Sequence, residues 1–171
     1  MSSALALEIA EKAHRGQKRY REAFTVLTGS GLKKAKGKTE PFILHPMRVA
    51  LSVTNSLAQA ALAPDRVAQV ALLHDVVEDT ELTLGGLRLA GFSDKVVNDV
   101  ARLTRSEEES YAEYIQRVSD GPLSAIVVKI ADLLDNLDGY TLGGEFADVS
   151  LVKRYRKALA QLGWSGREAK R

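Results

Sequence analysis

Hydrophobic residues recur along most of the chain at three- and four-residue intervals, the spacing that places them on one face of an α-helix. Residues 125–137, AIVVKIADLLDNL, begin with β-branched residues, but their apolar positions continue at helical spacing, so we predict a helix there. No two alternating segments joined by a hairpin turn are evident. The pattern therefore predicts an all-α protein of seven or eight helices. These helices are predicted at residues 3–27, 45–60, 63–79, within 80–92, 93–104, 110–120, 121–140 and 149–164.

One segment interrupts the helical pattern. Residues 28–41, TGSGLKKAKGKTEP, are rich in glycine and lysine, which predicts a basic loop. This loop is not a phosphate-binding P-loop, because five residues rather than four separate Gly31 from Gly37 and no strand is predicted before it. A length of 171 residues without an internal repeat fits one domain. We therefore predict a single domain, residues 1–171, with a basic inserted loop.

Composition narrows the class of protein. Hydrophobic residues make up 45% of the chain and charged residues 27%, as in ordinary globular proteins. The net charge is only +2 and the lysines cluster in one loop, so we expect no nucleic-acid binding. No apolar run approaches the roughly 18 residues of a membrane span, and no signal-peptide pattern opens the chain. We expect a cytoplasmic protein with no membrane partner. The sequence pattern does not specify whether the protein is a monomer or an oligomer.

The segment HDVVED, residues 74–79, carries titratable groups at the end of a core-like apolar run. His74 and Asp75 are adjacent, and Glu78 and Asp79 follow one helical turn later. Three carboxylates this close repel one another and raise their pKa values, a conflict that a divalent cation removes. Imidazole together with carboxylates suits Mn²⁺, Fe²⁺ or Zn²⁺ better than Ca²⁺. With no cysteine in the chain, a thiolate site is excluded.

Two further residues complete a candidate metal site. His45 follows the apolar segment PFIL, and Asp132 interrupts an apolar helix. By itself, a buried histidine is usually a core residue whose nitrogens are hydrogen-bonded, and an aspartate in a helix usually faces solvent. Three separate apolar segments each carry such a group, however, and burying one unpaired costs several kcal/mol. These observations favour a two-histidine, two-aspartate site with positions left for water or substrate, formed by His45, His74, Asp75 and Asp132.

The motifs FILHP, HDVVEDT and KIADLLDNL, in this order, resemble those of the HD-domain phosphohydrolases. The resemblance is closest to the hydrolase domain of the Rel/SpoT alarmone enzymes and to the single-domain small alarmone hydrolases. AHRGQKR at 13–19 and VARLTR at 100–105 fit the same pattern, which runs from about residue 5 to about residue 160. The resemblance implies an HD-domain helical bundle. It also implies an enzyme of the stringent response that hydrolyses (p)ppGpp to GDP or GTP and pyrophosphate.

Site roles follow from this resemblance residue by residue. It implies that Glu78 and Asp79 activate and orient the attacking water, that Asn136 contacts the nucleoside and that Tyr155 lies near the nucleotide. Because the acidic pair is present, an active enzyme is favoured over a catalytically silent nucleotide-binding module. The resemblance further implies one Mn²⁺ per chain, or another divalent transition metal, with four ligands: His45, His74, Asp75 and Asp132.

The chain departs from the family between the GQ and HP motifs, where residues 19–40 replace a short basic turn. Arg19 matches a family basic residue by its distance from GQ, whereas Lys36 or Lys38 matches by distance from His45. We predict that Arg19 and Lys38 contact substrate. The insertion is either a lid whose lysines engage phosphates or a solvated loop. The insertion therefore does not exclude another substrate for the same metal site: (p)ppApp, the 2′-phosphate of NADPH or a nucleoside monophosphate.

Overall fold

The computed structural model describes residues 1–20, 25–28, 31–34, 39–55, 63–141 and 149–165. Pro64–Leu73 and Val76–Asp79 are two helices separated only by His74 and Asp75, where the sequence predicted one helix. Counted as one, they leave eight helices among the described residues, and the predicted all-α class of seven or eight helices is confirmed. The helices are α1 (Ser3–Ala13), α2 (Leu44–Asn55), α3 (Pro64–Leu73), α4 (Val76–Asp79), α5 (Leu84–Leu89), α6 (Asp94–Leu103), α7 (Tyr111–Ser119), α8 (Leu123–Thr141) and α9 (Val149–Gln161).

Helix α1 is shorter than predicted and ends at Ala13 rather than near residue 27. Gly16 follows with a φ of 82°, a left-handed conformation that glycine adopts at low cost and that ends a helix. The chain then enters a strand, β1 (Lys18–Tyr20). The sequence interpretation overlooked this glycine because the apolar spacing continues beyond it.

Two antiparallel ribbons occupy part of the predicted loop at 28–41. The sequence-based prediction that the chain has no strand pairs was therefore wrong. β1 pairs with β4 (Thr39–Pro41), and β2 (Thr25–Thr28) pairs with β3 (Gly31–Lys34). Strands of three or four residues are too short for a reliable alternation signal. The prediction of one domain over residues 1–171 stays a prediction.

Four of the described helices, α1, α5, α6 and α7, begin at a residue whose side chain caps the first turn. Ser93 caps α6 by accepting a hydrogen bond from the Val96 amide, as the sequence predicted. Ser110 and Glu113 form a reciprocal capping box at the start of α7. The β-branched start of α8 is helical, which confirms the choice of helix over strand there. Residues 56–60, predicted as the end of the second helix, lie outside the described residues.

Helices α3 and α8 form the centre of the bundle. Every residue of α3 from Val67 to Leu73 is buried, and α3 packs against α1, α2, α6 and α8. Helix α8 also contacts α2, α6, α7 and α9. This packing brings the beginning of α2, the end of α3 and the middle of α8 together inside the bundle. Among the described residues, no helix is both long and apolar enough to cross a membrane.

Candidate metal centre and adjoining pocket

Three of the predicted metal ligands meet where α2, α3 and α8 converge. His45, His74 and Asp132 are 2%, 3% and 4% exposed, and each offers a ligand atom within 4.8 Å of the others. The Asp132 Oδ1 atom lies 3.1 Å from His45 Nε2 and 3.8 Å from His74 Nε2. A group of two imidazoles and a carboxylate at this separation could hold a divalent metal ion.

Asp75, the fourth predicted ligand, lies at the edge of this cluster. Its Oδ2 atom is 3.2 Å from His74 Nε2 and 3.5 Å from His45 Nε2. Its side chain is 23% exposed, which places it between the buried cluster and the solvent side. The structure therefore places Asp75 beside the two histidines, whereas the mutually close group of ligand atoms consists of His45, His74 and Asp132.

The orientation of His74 follows from its position at the end of α3. Its Nδ1 atom lies 2.7 Å from the Ala71 carbonyl oxygen, to which it donates, so that Nε2 is turned toward the cluster. His74 Nε2 is buried and makes no hydrogen bond within the described part of the chain. A buried nitrogen of this kind costs free energy unless it has a partner. The donor set therefore fits a metal ion.

His45 is held from its other ring nitrogen. Its Nδ1 atom lies 2.7 Å from Asp135 Oδ2, and Arg48 Nε donates a 2.6 Å hydrogen bond to Asp135 Oδ1. Burial alone would raise the pKa of Asp135, but the hydrogen bonds from His45 and Arg48 hold it below its usual value. Sequence reasoning missed Asp135, because an acid one turn from another helical acid has no distinctive spacing.

Asp132 is the most heavily bonded ligand. Lys129 Nζ donates to its Oδ2 atom at 2.7 Å, and Asn136 Nδ2 donates to its Oδ1 atom at 2.6 Å. Burial would raise the pKa of Asp132, but the Lys129 charge and the two histidines hold it well below its usual value. Burial would lower the pKa of His74, but Asp75 and Asp132 raise it to about 10. The cluster thus carries a concentrated negative field that favours a cation.

A cavity of about 550 Å³ opens beside the cluster and contains most of the predicted site residues. Three of the cluster residues reach its wall; His74 lies behind them. Lys38 lies outside the described residues, so its predicted contact is not tested. The predicted residues that line the cavity are Arg19, His45, Asp75, Glu78, Asp79, Asp132, Asn136 and Tyr155.

Glu78 and Asp79 lie on one wall, at the end of α4. Glu78 Oε2 accepts a 3.0 Å hydrogen bond from the Arg105 amide, and the Asp79 carbonyl accepts one from Gln17 Nε2. Partial burial, together with the negative charges of Asp75 and Glu78, raises the pKa of Asp79 to about 6. A carboxylate with that pKa is ionised at neutral pH and more basic than an ordinary one.

A further part of the cavity lining is cationic and aromatic. The Arg154 guanidinium lies 4.8 Å from the centre of the Tyr111 ring and 5.9 Å from that of Tyr155. Lys129 Nζ lies 5.0 Å from the centre of the Tyr114 ring. Such a wall can bind phosphates and stack a nucleobase. The sequence indicated no role for Arg154, Tyr111 and Tyr114, because only the fold brings α7, α8 and α9 together.

The described fold is thus a mainly helical bundle with a buried group of two histidines and one aspartate where α2, α3 and α8 converge. No protein-family model matches the chain. It is 30% identical over 173 residues to a probable guanosine-3′,5′-bis(diphosphate) 3′-pyrophosphohydrolase of Mycoplasma pneumoniae, covering 92% of this chain and 20% of that protein. It is 35% identical over 101 residues to mouse MESH1, named as a guanosine-3′,5′-bis(diphosphate) 3′-pyrophosphohydrolase, covering 57% of this chain and 54% of that protein.

A solved structure of a metazoan SpoT ortholog shares the fold, with a TM-score of 0.64 and 22% identity over 95% of this chain and 82% of that one. The chain belongs to the Rel/SpoT-like HD hydrolase family, as the sequence motifs predicted. It spans only 20% and 54% of the two curated relatives described above.

Proposed function

We propose that this chain is a Mn²⁺-dependent 3′-pyrophosphohydrolase that converts (p)ppGpp to GDP or GTP and pyrophosphate. The observation that carries the proposal is the buried group of His45, His74 and Asp132, whose ligand atoms lie within 4.8 Å of one another beside a large cavity. The names of the relatives support the substrate class, since they denote hydrolases of guanosine-3′,5′-bis(diphosphate).

The metal ion would be held by His45, His74, Asp75 and Asp132. When bound, it would lower the pKa of a coordinated water and neutralise charge on the phosphate oxygens. Mn²⁺ is proposed because a mixed set of imidazole and carboxylate ligands suits it, and Fe²⁺ or Zn²⁺ are the other candidates. Each histidine ring is held through its Nδ1 atom by a hydrogen bond, which lowers the cost of assembling the site.

Glu78 and Asp79 act as the base that takes the proton of the attacking water and as the group that orients this water. In the absence of a metal ion, partial burial and the charges of Asp75 and Glu78 raise the pKa of Asp79 to about 6, which leaves its carboxylate ionised at neutral pH and able to accept a proton. Glu78 is fixed by the Arg105 amide, which keeps its carboxylate at the cavity wall. A general base of this kind contributes roughly 10²- to 10⁴-fold to the rate.

The nucleotide is proposed to lie between two sets of residues that line the cavity. Arg19 and Asn136 are proposed to contact the nucleoside of the substrate. The two side chains are joined by a 2.6 Å hydrogen bond. Tyr155 and Arg154 form an aromatic and cationic surface for the base and for phosphate oxygens. Lys38 completes the contacts proposed from the sequence.

The test is hydrolysis by purified protein with Mn²⁺ of ppGpp, pppGpp, ppApp, NADPH and nucleoside monophosphates, with products separated by chromatography. We expect pyrophosphate release from ppGpp and its loss in Glu78→Ala, which should still bind the metal. Glu81→Ala is the matched control, because Glu81 is an exposed acid three residues further along the chain. Turnover of ppApp, NADPH or a monophosphate alone would overturn the proposed substrate, and metal binding without any turnover would indicate a silent nucleotide-binding module.

A further inference from the structure

The imidazole of His45 lies between two carboxylates, one at each ring nitrogen. Its Nε2 atom is 3.1 Å from Asp132 Oδ1, and its Nδ1 atom is 2.7 Å from Asp135 Oδ2. A neutral imidazole carries one N–H and can donate it to only one of these partners. A ring with its hydrogen on Nε2 has no lone pair there for a metal. The balance between the two carboxylates therefore decides whether His45 can serve as a ligand.

Asp135 is fixed in position by a second pair of contacts. Arg48 donates to both of its carboxylate oxygens, from Nε to Oδ1 at 2.6 Å and from a terminal nitrogen to Oδ2 at 3.1 Å. The same guanidinium donates to Glu40 at 2.6 Å. Asp135 and Glu40 are only 10% and 15% exposed at their side chains. A bidentate arginine contact of this kind sets the plane of a carboxylate, not only its distance.

We propose that Asp135, oriented by Arg48, is a positioning residue that keeps the hydrogen of His45 on Nδ1 and leaves Nε2 free for the metal. This inference rests on the metal site of the proposed function. It assigns no contact with substrate to either residue. Metal-binding histidines commonly donate their second N–H to a carboxylate, which orients the ring and makes it a stronger ligand.

The two histidines are oriented by different devices. His74 donates from Nδ1 to a backbone carbonyl at the end of its own helix, so a side-chain substitution cannot remove its partner. His45 depends on a carboxylate from α8 and therefore on one replaceable side chain. Removing Asp135 leaves Asp132 as the near acceptor, and the hydrogen of His45 moves to Nε2.

The first readout is the tautomer of His45 in metal-free protein, from ¹⁵N NMR of the imidazole nitrogens at a pH where the ring is neutral. With only three histidines in the chain, the signals can be assigned by single substitutions. We expect Nδ1–H in the wild-type protein and Nε2–H in Asp135→Leu. An unchanged tautomer in a folded Asp135→Leu protein would overturn the proposal. If Asp135→Leu does not fold, Asp135→Asn, which is nearly the same size, takes its place.

The second readout is Mn²⁺ affinity by isothermal titration calorimetry. We expect Asp135→Asn to bind roughly 10- to 100-fold more weakly. Asp138→Asn is the matched control: it makes the same change of charge on an exposed position of the same helix and should bind as wild type. Equal affinities in the two variants would overturn the inference. Failure of ppGpp hydrolysis would affect the proposed function alone, because neither readout requires turnover.

Discussion

The Arg19 guanidinium donates a 2.6 Å hydrogen bond to Asn136 Oδ1, and the Asn136 amide donates in turn to Asp132. A strand that follows α1 is thereby connected to the middle of α8 at the wall of the cavity. The Arg19 guanidinium also lies 5.9 Å from the centre of the Phe42 ring. The proposed nucleotide contacts Arg19 and Asn136 and the proposed metal ligand Asp132 thus belong to one chain of hydrogen bonds.

Substitution of Arg19 should therefore weaken substrate binding more than it affects metal binding. We expect Arg19→Met to raise KM for ppGpp at least ~10-fold, equivalent to about 1.4 kcal/mol, with Mn²⁺ affinity near wild type. Steady-state kinetics and calorimetry measure the two effects separately. Arg15→Met is the control, because Arg15 is 69% exposed at its side chain and pairs with Glu11 on the surface of α1. An unchanged KM would remove Arg19 from the substrate contacts.

Metal binding should depend on each buried ligand. We expect His74→Ala and Asp132→Asn to lose bound Mn²⁺, because either change leaves too few ligands in a site designed around buried donors. Metal content after dialysis, measured by mass spectrometry, tests this directly. Asp99→Asn is the matched control for Asp132→Asn, since Asp99 is also a buried aspartate, 4% exposed, but accepts a hydrogen bond from Ser124 and does not line the cavity. A full complement of metal in either ligand variant would contradict the site assignment.

The sequence pointed to the buried group of His45, His74 and Asp132 because the signal of such a group is chemical and local. His45, His74 and Asp132 each interrupt an apolar segment, and burial of such groups is costly enough to demand a common explanation. Asp135 carries no such signal. It follows Asp132 at a spacing that also describes a solvated helix face, and only the packing of α2 against α8 places it beside His45.

The ribbons were missed for a different physical reason. β1 and β4 pair Lys18 with Pro41 across a stretch of chain that contains β2 and β3, so the pairing is not local. Strands this short gain most of their stability from cross-strand partners rather than from intrinsic preference. The glycine and lysine content of residues 28–41 indicates only that the segment is polar, and polar ribbons share that composition with loops.

The carboxyl of Asp79 should titrate near pH 6 in the metal-free protein, well above an ordinary aspartate. Since its pKa is raised, the carboxyl is protonated and unable to accept a proton below about pH 6, and it regains this ability as the pH rises through that value. The negative charge of Asp75 contributes to the shift, so Asp75→Asn should lower the pKa of Asp79. NMR of the labelled carboxyl carbon measures both values. A midpoint near 4 in the wild-type protein, where ordinary aspartates titrate, would contradict the expectation.

Arg117 holds the loop that connects the cavity wall to α6. Its guanidinium donates to the Arg102 and Thr104 carbonyls at 2.8 and 3.0 Å and to both oxygens of Glu109 at 2.7 and 2.8 Å. The acceptors span the end of α6 and the following loop, which carries Arg105 to the cavity. The Glu109 contact holds the pKa of its carboxyl below the usual value. Loss of Arg117 would leave several carbonyl groups without their charged donor.

We expect Arg117→Ala to lower the free energy of unfolding by about 3 kcal/mol, because hydrogen bonds from charged donors contribute roughly 1.5–3 kcal/mol each and are not additive. Arg117→Lys should recover only a minor part, since a single ammonium cannot bond the two carbonyls and the carboxylate together. Urea denaturation with linear extrapolation measures both changes. Arg88→Ala serves as the control: Arg88 pairs with Asp94 at side-chain exposures of 48% and 82%, and such a surface pair contributes less than about 1 kcal/mol. Equal losses in Arg117→Ala and Arg88→Ala would show that the loop does not depend on Arg117.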